Sequence, residues 1–273
     1  MRTRMVYNNN GVCWEESTTL AAAGLRHGVT GRPGGVSHGA YASLNLALHV
    51  GDDADCVLEN RRRFCSAAGL DMCRLTTTQQ THEDHVIAIG TDDAGRGASS
   101  YDDALPHTDA LMTNCTGIPI VIFTADCVPI ILFDPEHHAC AVVHDGWRGT
   151  AAKLAAKTVF AMRLAYGTQP QDLLAYIGPS IGPAHFEVGS EAEQAFAQMG
   201  PAFEACIIRE TGHKSRVDLW AANQVLLEEA GLKPEHIDIT ESCVYDKADM
   251  FFSYRRDGGL TGRMATFAVL DTL

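Results

Sequence analysis

The chain has no Cys-x-x-Cys pair, no internal repeat, no low-complexity tract and no excess of positive charge. Each absence removes a class of protein. Nine cysteines stand at irregular spacings, which argues against both a zinc ribbon and a disulfide framework. They read instead as reduced thiols in a cytoplasmic protein, most of them small buried hydrophobes. The net charge of −13 disfavours nucleic acid as a partner. A small anion can still be met by a local arginine cluster. No apolar run approaches the roughly 18 residues that span a membrane, so no membrane association is expected. The opening Met1–Asn10 segment is polar and lacks the apolar stretch of a signal peptide. Nothing points to a protein partner. What is present is a 273-residue chain, 46% hydrophobic and 20% charged, large enough to bury a sizeable core.

Patterning along the chain alternates helix and strand. Asp53 to Gly69 reads as a helix, with Asp53 or Asp55 as cap, Val57, Arg61, Phe64 and Ala68 on one face, and Gly69 as stop. Val86–Ile89, Ile118–Thr124, Val128–Phe133, Ala139–His144, Leu173–Ile177 and Thr266–Leu270 read as strands. The middle runs are continuously apolar, as strands buried on both faces are. Helices are expected over Thr150–Tyr166, Ser190–Gln198 and Asp218–Ala230. Strands and helices interleave without a linker, which predicts one α/β domain over residues 1–273.

Three residues sit where these strands end: His82 before the Val86 strand, Cys127 in the Thr124-Ala-Asp-Cys127 turn, and His144 at the close of the third apolar strand. Ligands bind at strand ends in α/β sheets. Two imidazoles and a thiolate suit tetrahedral zinc and leave a fourth position for water, as in catalytic sites. Bound zinc lowers the pKa of water to about 7. The spacing matches no local metal motif. The same residues also read as a cysteine nucleophile with His144 as base and Asp126 or Asp145 orienting it, or as plain structural residues. Arg61, Arg148 and the Tyr254-Arg255-Arg256 run are candidates for phosphate or ribose contacts, and equally for ion pairs. Trp147 and Phe251-Phe252 read as core before they read as a stacking platform.

The motifs Ser43-Leu-Asn-Leu-Ala-Leu-His-Val-Gly-Asp52, Glu59-Asn-Arg-Arg-Arg63, Thr124-Ala-Asp-Cys127, Val143-His-Asp-Gly-Trp-Arg-Gly149, Ile177-Gly-Pro-Ser-Ile-Gly182 and Phe251-Phe-Ser-Tyr-Arg-Arg-Asp-Gly258 with Thr261-Gly-Arg263 resemble the YfiH-like family. That family is variously described as polyphenol oxidase or laccase, peptidoglycan editing factor and purine nucleoside phosphorylase. The resemblance runs from about Gly28 to Leu270. It implies an α/β/β/α sandwich with mixed sheets and a zinc ion on His82, Cys127 and His144. It also implies phosphorolysis of adenosine, inosine, guanosine and methylthioadenosine, with adenosine deamination at the same site. Its Asn-Leu and Asn-Arg motifs place Asn45 and Arg61 in the substrate pocket, and Arg148 joins Arg61 as a phosphate candidate. Glu83, Asp126 and Asp145 are the candidate proton carriers. Two departures stand out. The family usually has Val-His-Gly where this chain has Thr81-His82-Glu83, and Ala or Ser where it has Asp145; both bring carboxylates toward the metal.

Other functions stay in view. Thiolate and imidazole also bind copper, which allows a polyphenol oxidase. The twelve histidines include no His-x-His pair, which argues against a true multicopper enzyme. Hydrolytic editing of a cell-wall precursor would require a pocket for a nucleotide-sugar peptide. A non-catalytic binding module is the remaining class, and an open fourth metal position counts against it.

Overall fold

The computed structural model describes residues 2–271. Its strands are β1 (Thr3–Tyr7), β2 (Cys13–Ser17), β3 (Arg26–Thr30), β4 (Thr76–Thr77), β5 (Val86–Ala88), β6 (Ala110–Thr113), β7 (Ile120–Thr124), β8 (Val128–Asp134), β9 (Ala139–Asp145), β10 (Leu174–Ile177), β11 (Ile207–Ile208), β12 (Arg216–Val217), β13 (Ile237–Ile239) and β14 (Met264–Val269). The helices are α1 (Thr18–Ala22), α2 (Ala54–Ala68), α3 (Trp147–Ala151), α4 (Leu154–Tyr166), α5 (Ser190–Gln198), α6 (Pro201–Glu204) and α7 (Leu219–Glu229).

Two six-stranded sheets form the centre, ordered β1-β2-β3-β14-β7-β4 and β13-β10-β8-β9-β6-β5. Both are mixed: β4 with β7, β5 with β6 and β10 with β13 are parallel, among antiparallel neighbours. Side-chain alternation builds the layers. From β8 and β9, Val128, Ile130, Leu132, Ala141 and Val143 meet Leu154, Val159 and Met162 of α4 and Leu226 and Leu227 of α7. The alternate residues Ile131, Phe133, Cys140 and Val142 meet Ile120, Ile122 and Met264 between the sheets. Val121, Phe123, Ala265 and Phe267 face outward again, onto Phe64 and Cys65 of α2. Each fully buried aliphatic or aromatic side chain stabilises this arrangement by roughly 1.5–3 kcal/mol. The result is a single-domain α/β/β/α sandwich, as the sequence led us to expect.

Local signals set the helix ends. The Asp53 carboxylate accepts from the Asp55 and Cys56 amides, and Gly69 closes α2 in the left-handed region at φ 65°. Asp218 caps α7 through the Ala221 amide. The helix expected over Thr150–Tyr166 is instead two. It begins earlier, at Trp147, and breaks at Lys153, whose φ of 62° interrupts the hydrogen-bond ladder. The break re-aims the chain so that Leu154, Ala155, Val159 and Met162 all reach the core. Among the described residues, no helix is long and apolar enough to cross a membrane.

The expected site residues His82 and Cys127 lie where the chain passes between the sheets. The Ala125–Cys127 turn leaves β7 in one sheet and enters β8 in the other. The 78–85 segment makes a second crossing, from β4 to β5.

Candidate functional site

The two crossings and the end of β9 bring His82, Cys127 and His144 together, each with a ligand atom within 4.8 Å of the others. The two imidazole rings meet edge to face, with centroids 4.7 Å apart. Neither crossing is relaxed backbone: His82 has φ 60° and Asp126 has φ 87°, a region that non-glycine residues rarely adopt. Both are held there by hydrogen bonds. The Asp126 carboxylate accepts from the Ser253 hydroxyl and the Arg255 amide, each at 2.6 Å. The His82 amide donates to Asp109 Oδ1 at 3.1 Å.

Asp109 is the residue that sequence reasoning missed. It is fully buried at the entrance to β6. One carboxylate oxygen also accepts from His144 Nδ1 at 2.7 Å, and the other accepts from the amides of Thr81 at 3.1 Å and Glu83 at 2.9 Å. Burial alone would raise its carboxyl pKa; the His144 imidazole and the backbone amides more than offset this, so the pKa is lowered. A carboxylate can only accept, so a His144 proton sits on Nδ1, which leaves Nε2 as the nitrogen that would ligate an ion once its own proton is displaced. That is the outer-shell arrangement that orients metal-binding histidines. Only a lone Asp two residues after His107 marks the position in the sequence, with no spacing signal to connect it to His144.

The thiol follows the same logic. Burial pushes Cys127 up, but the adjacent His144 and His82 outweigh it and draw the group toward thiolate. Burial in turn disfavours the His144 imidazolium, and Cys127 and Asp109 reverse that. One thiolate and two imidazoles this close fit a zinc-type ion. Gly146 makes the approach feasible, because a Cβ there would lie 2.9 Å from Cys127 Sγ. Gly146→Ala is therefore expected to weaken metal binding roughly tenfold, read by titration against a competing chelator; unchanged affinity would remove the steric role.

The other expected residues divide. Glu83 is exposed, its carboxylate accepting from the Thr81 hydroxyl at 3.0 Å. Asp145 does not orient His144, as its position had suggested. It follows His144 in β9, so its side chain leaves the opposite face of the strand and reaches Thr150 Oγ1 at 3.3 Å. Burial pushes its carboxyl up to about 7, and Oδ2 has no hydrogen-bond partner. Asn45 is fully buried and its amide is saturated, donating to Ala47 and Asp52 and accepting from the Ala47 and Arg263 amides. Arg61 lies over the Phe123 ring and donates to the Leu46, Gly97 and Ala98 carbonyls. Burial lowers its pKa to about 10, so it stays charged. Arg148 is exposed, stacked on Trp147 and facing Glu191 at 3.4 Å. Arg255 and Arg256 bind backbone carbonyls, and Phe251 and Phe252 are core.

Beside the metal-type donors lie residues to which sequence reasoning assigned no role. His49 faces the Tyr101 ring at 5.0 Å. Burial, then the nearby Arg263, Arg61, His144 and His82, lower its pKa to about 4 and keep it neutral. Arg263 is half-buried over Tyr254, donating through its guanidinium to the Thr261 and Gly262 carbonyls at 2.8 and 3.1 Å; burial lowers its pKa, and the charges of Cys127, Tyr254 and Asp126 work against that. Gln80 fixes the crossing loop, its amide pairing both ways with the Phe123 backbone at 2.7 Å.

Fold and site together define a layered α/β protein with a His–Cys–His group at its sheet crossings. The family model described as multi-copper polyphenol oxidoreductase laccase matches residues 26–271, and the chain belongs to that family, to which the YfiH proteins also belong. It is 39% identical to a purine nucleoside phosphorylase from Bacteroides thetaiotaomicron, over 88% of this chain and 89% of the relative. It is 37% identical to adenosine deaminase RL5 from an unknown prokaryotic organism, over 83% and 87% of the two chains. The crystal structure of YlmD from Geobacillus stearothermophilus superposes with a TM-score of 0.92 at 33% identity, covering 98% of this chain and 99% of that one.

Proposed function

We propose that this chain is a zinc-dependent purine nucleoside phosphorylase acting on adenosine, inosine, guanosine and methylthioadenosine, and that it deaminates adenosine at the same site. The observation that carries this reading is the convergence of His82, Cys127 and His144 within 4.8 Å, with Asp109 fixing the His144 ring. The names of the relatives support the substrate class, and hence nucleoside and phosphate as ligands. Zinc held there would supply a Lewis acid that acidifies water and polarises substrate oxygen.

The chain's own residues do the rest. His49 and Tyr101, their rings 5.0 Å apart and inclined by 34°, offer the purine an uncharged aromatic wall. Arg263 carries the positive charge for phosphate or ribose, a role the sequence had suggested for Arg61 with Arg148. Asn45 and Arg61 act behind the pocket: Asn45 holds the Arg263 amide and Arg61 ties three loop carbonyls together. Of the three candidate carboxylates, we assign to Glu83 the movement of a proton between solvent and the departing group, a role its exposure supports. Asp126 positions the turn that bears Cys127. Nine free thiols support a cytoplasmic setting.

The test is to give metal-analysed protein adenosine with and without phosphate and to separate the products by chromatography. Adenine with ribose 1-phosphate in phosphate, and inosine without it, are expected, and neither from Cys127→Ala. A correctly metallated sample that turns over neither way would overturn the reading. The family's description supports copper-dependent phenol oxidation as a second reading, and copper-loaded protein given a phenol separates the two.

A further inference from the structure

A second group of metal-type donors lies outside this centre. His185, Cys243 and Asp246 each present a ligand atom, and these atoms lie within 4.8 Å of one another. They come from two turns, one following β10 and one preceding the Phe251–Asp257 loop. Backbone contacts hold the turns together. Ser180 and Cys243 pair as a parallel bridge, and the Val244 amide donates to the Ser180 carbonyl at 3.0 Å. The His185 amide donates to Gly182 at 3.0 Å, and that of Lys247 to Cys243 at 3.1 Å. The His185 ring is stacked on Tyr245, 4.1 Å away and inclined by 15°. The donors are thus pre-positioned rather than gathered from mobile side chains.

A simple ion pair accounts for His185 and Asp246, which lie 2.7 Å apart. It leaves out the sulfur. Cys243 is buried, yet its Sγ stands beside that pair and accepts the Gly182 amide at 3.3 Å, as metal-bound sulfur does with its outer shell. Gly182 allows this approach, since a Cβ there would lie 3.3 Å from the same sulfur. Imidazole, thiolate and carboxylate suit zinc-type ions by softness, and the thiolate and carboxylate charges match a divalent ion. Asp246 is exposed, so the ion has a route in and water can complete four-coordination.

We propose that His185, Cys243 and Asp246 bind a second divalent ion of the zinc type, which staples these two turns together. The staple sits behind the first centre. Arg255 donates through its guanidinium to the His185 and Glu187 carbonyls, at 3.2 and 2.9 Å, and through its amide to Asp126. The inference does not depend on which reaction the first centre performs.

Full-length protein loaded with cobalt(II) and analysed for metal content tests it. Two equivalents are expected for the parent, one for Cys243→Ser and one for Cys127→Ser, the latter keeping a thiolate-to-cobalt charge-transfer band. Asp246→Asn, at an exposed position, is expected to weaken one of the two equivalents tenfold or more. A single equivalent in the parent that vanishes in Cys127→Ser would overturn the proposal. So would two equivalents that both survive Cys243→Ser or Asp246→Asn at parental affinity.

Discussion

Asp109→Asn is expected to lower metal affinity 10- to 100-fold, while the metal-free protein loses only about 1–3 kcal/mol of stability. The reason is donor and acceptor counting. Asp109 Oδ1 accepts from His144 Nδ1 and the His82 amide, and Oδ2 accepts from the Thr81 and Glu83 amides. An asparagine of the same shape must present its NH2 to one of these donor pairs. If it faces His144, the ring loses its acceptor and shifts its proton to Nε2, the nitrogen that should ligate. In that orientation the His82 amide on the same oxygen also loses its anchor; if the NH2 faces the loop instead, the Thr81 and Glu83 amides that flank His82 lose theirs. Both outcomes damage the metal group more than the fold. Chelator competition gives the affinity, and a thermal melt of the metal-free protein gives the stability. An affinity within about twofold of the parent, with the same loss of stability, would make Asp109 a residue of the fold alone.

Asp145→Ser is expected to act in the opposite sense, stabilising the protein by about 1–3 kcal/mol and leaving metal affinity unchanged. Asp145 is fully buried, with one oxygen on Thr150 and the other without a partner. Removing an incompletely satisfied carboxyl from an apolar layer relieves its desolvation penalty. Thr150 keeps a bond to the Gly146 carbonyl at 3.1 Å. For a chain of this size the gain corresponds to a rise of a few degrees in Tm. A loss of metal affinity comparable to that of Asp109→Asn would mean that Asp145 acts on His144 after all.

These two aspartates show where sequence reasoning stops. Asp145 adjoins His144 in the chain, and proximity in sequence suggested proximity in function. Strand alternation sends the two side chains to opposite faces. Asp109 lies 35 residues from His144, and pairing of β6 with β9 brings them together. The family motifs implied Asn45 and Arg61 as pocket residues; both are buried, Arg61 donating to three backbone carbonyls and Asn45 bonding backbone groups and the Asp52 carboxylate.

By itself the sequence determined the local elements. The apolar runs that became β7, β8 and β9, the Asp caps of α2 and α7, and the glycine stops depend on neighbours a few residues apart, so their signal is periodic and readable. It also supplied the thiol and imidazoles that would hold a metal ion. Tertiary structure decided which polar groups are near those donors and which way each one points. Orientation depends on sheet register, on the two crossings between sheets and on the positive φ at His82 and Asp126, and each of these is stabilised by contacts between residues far apart in the chain.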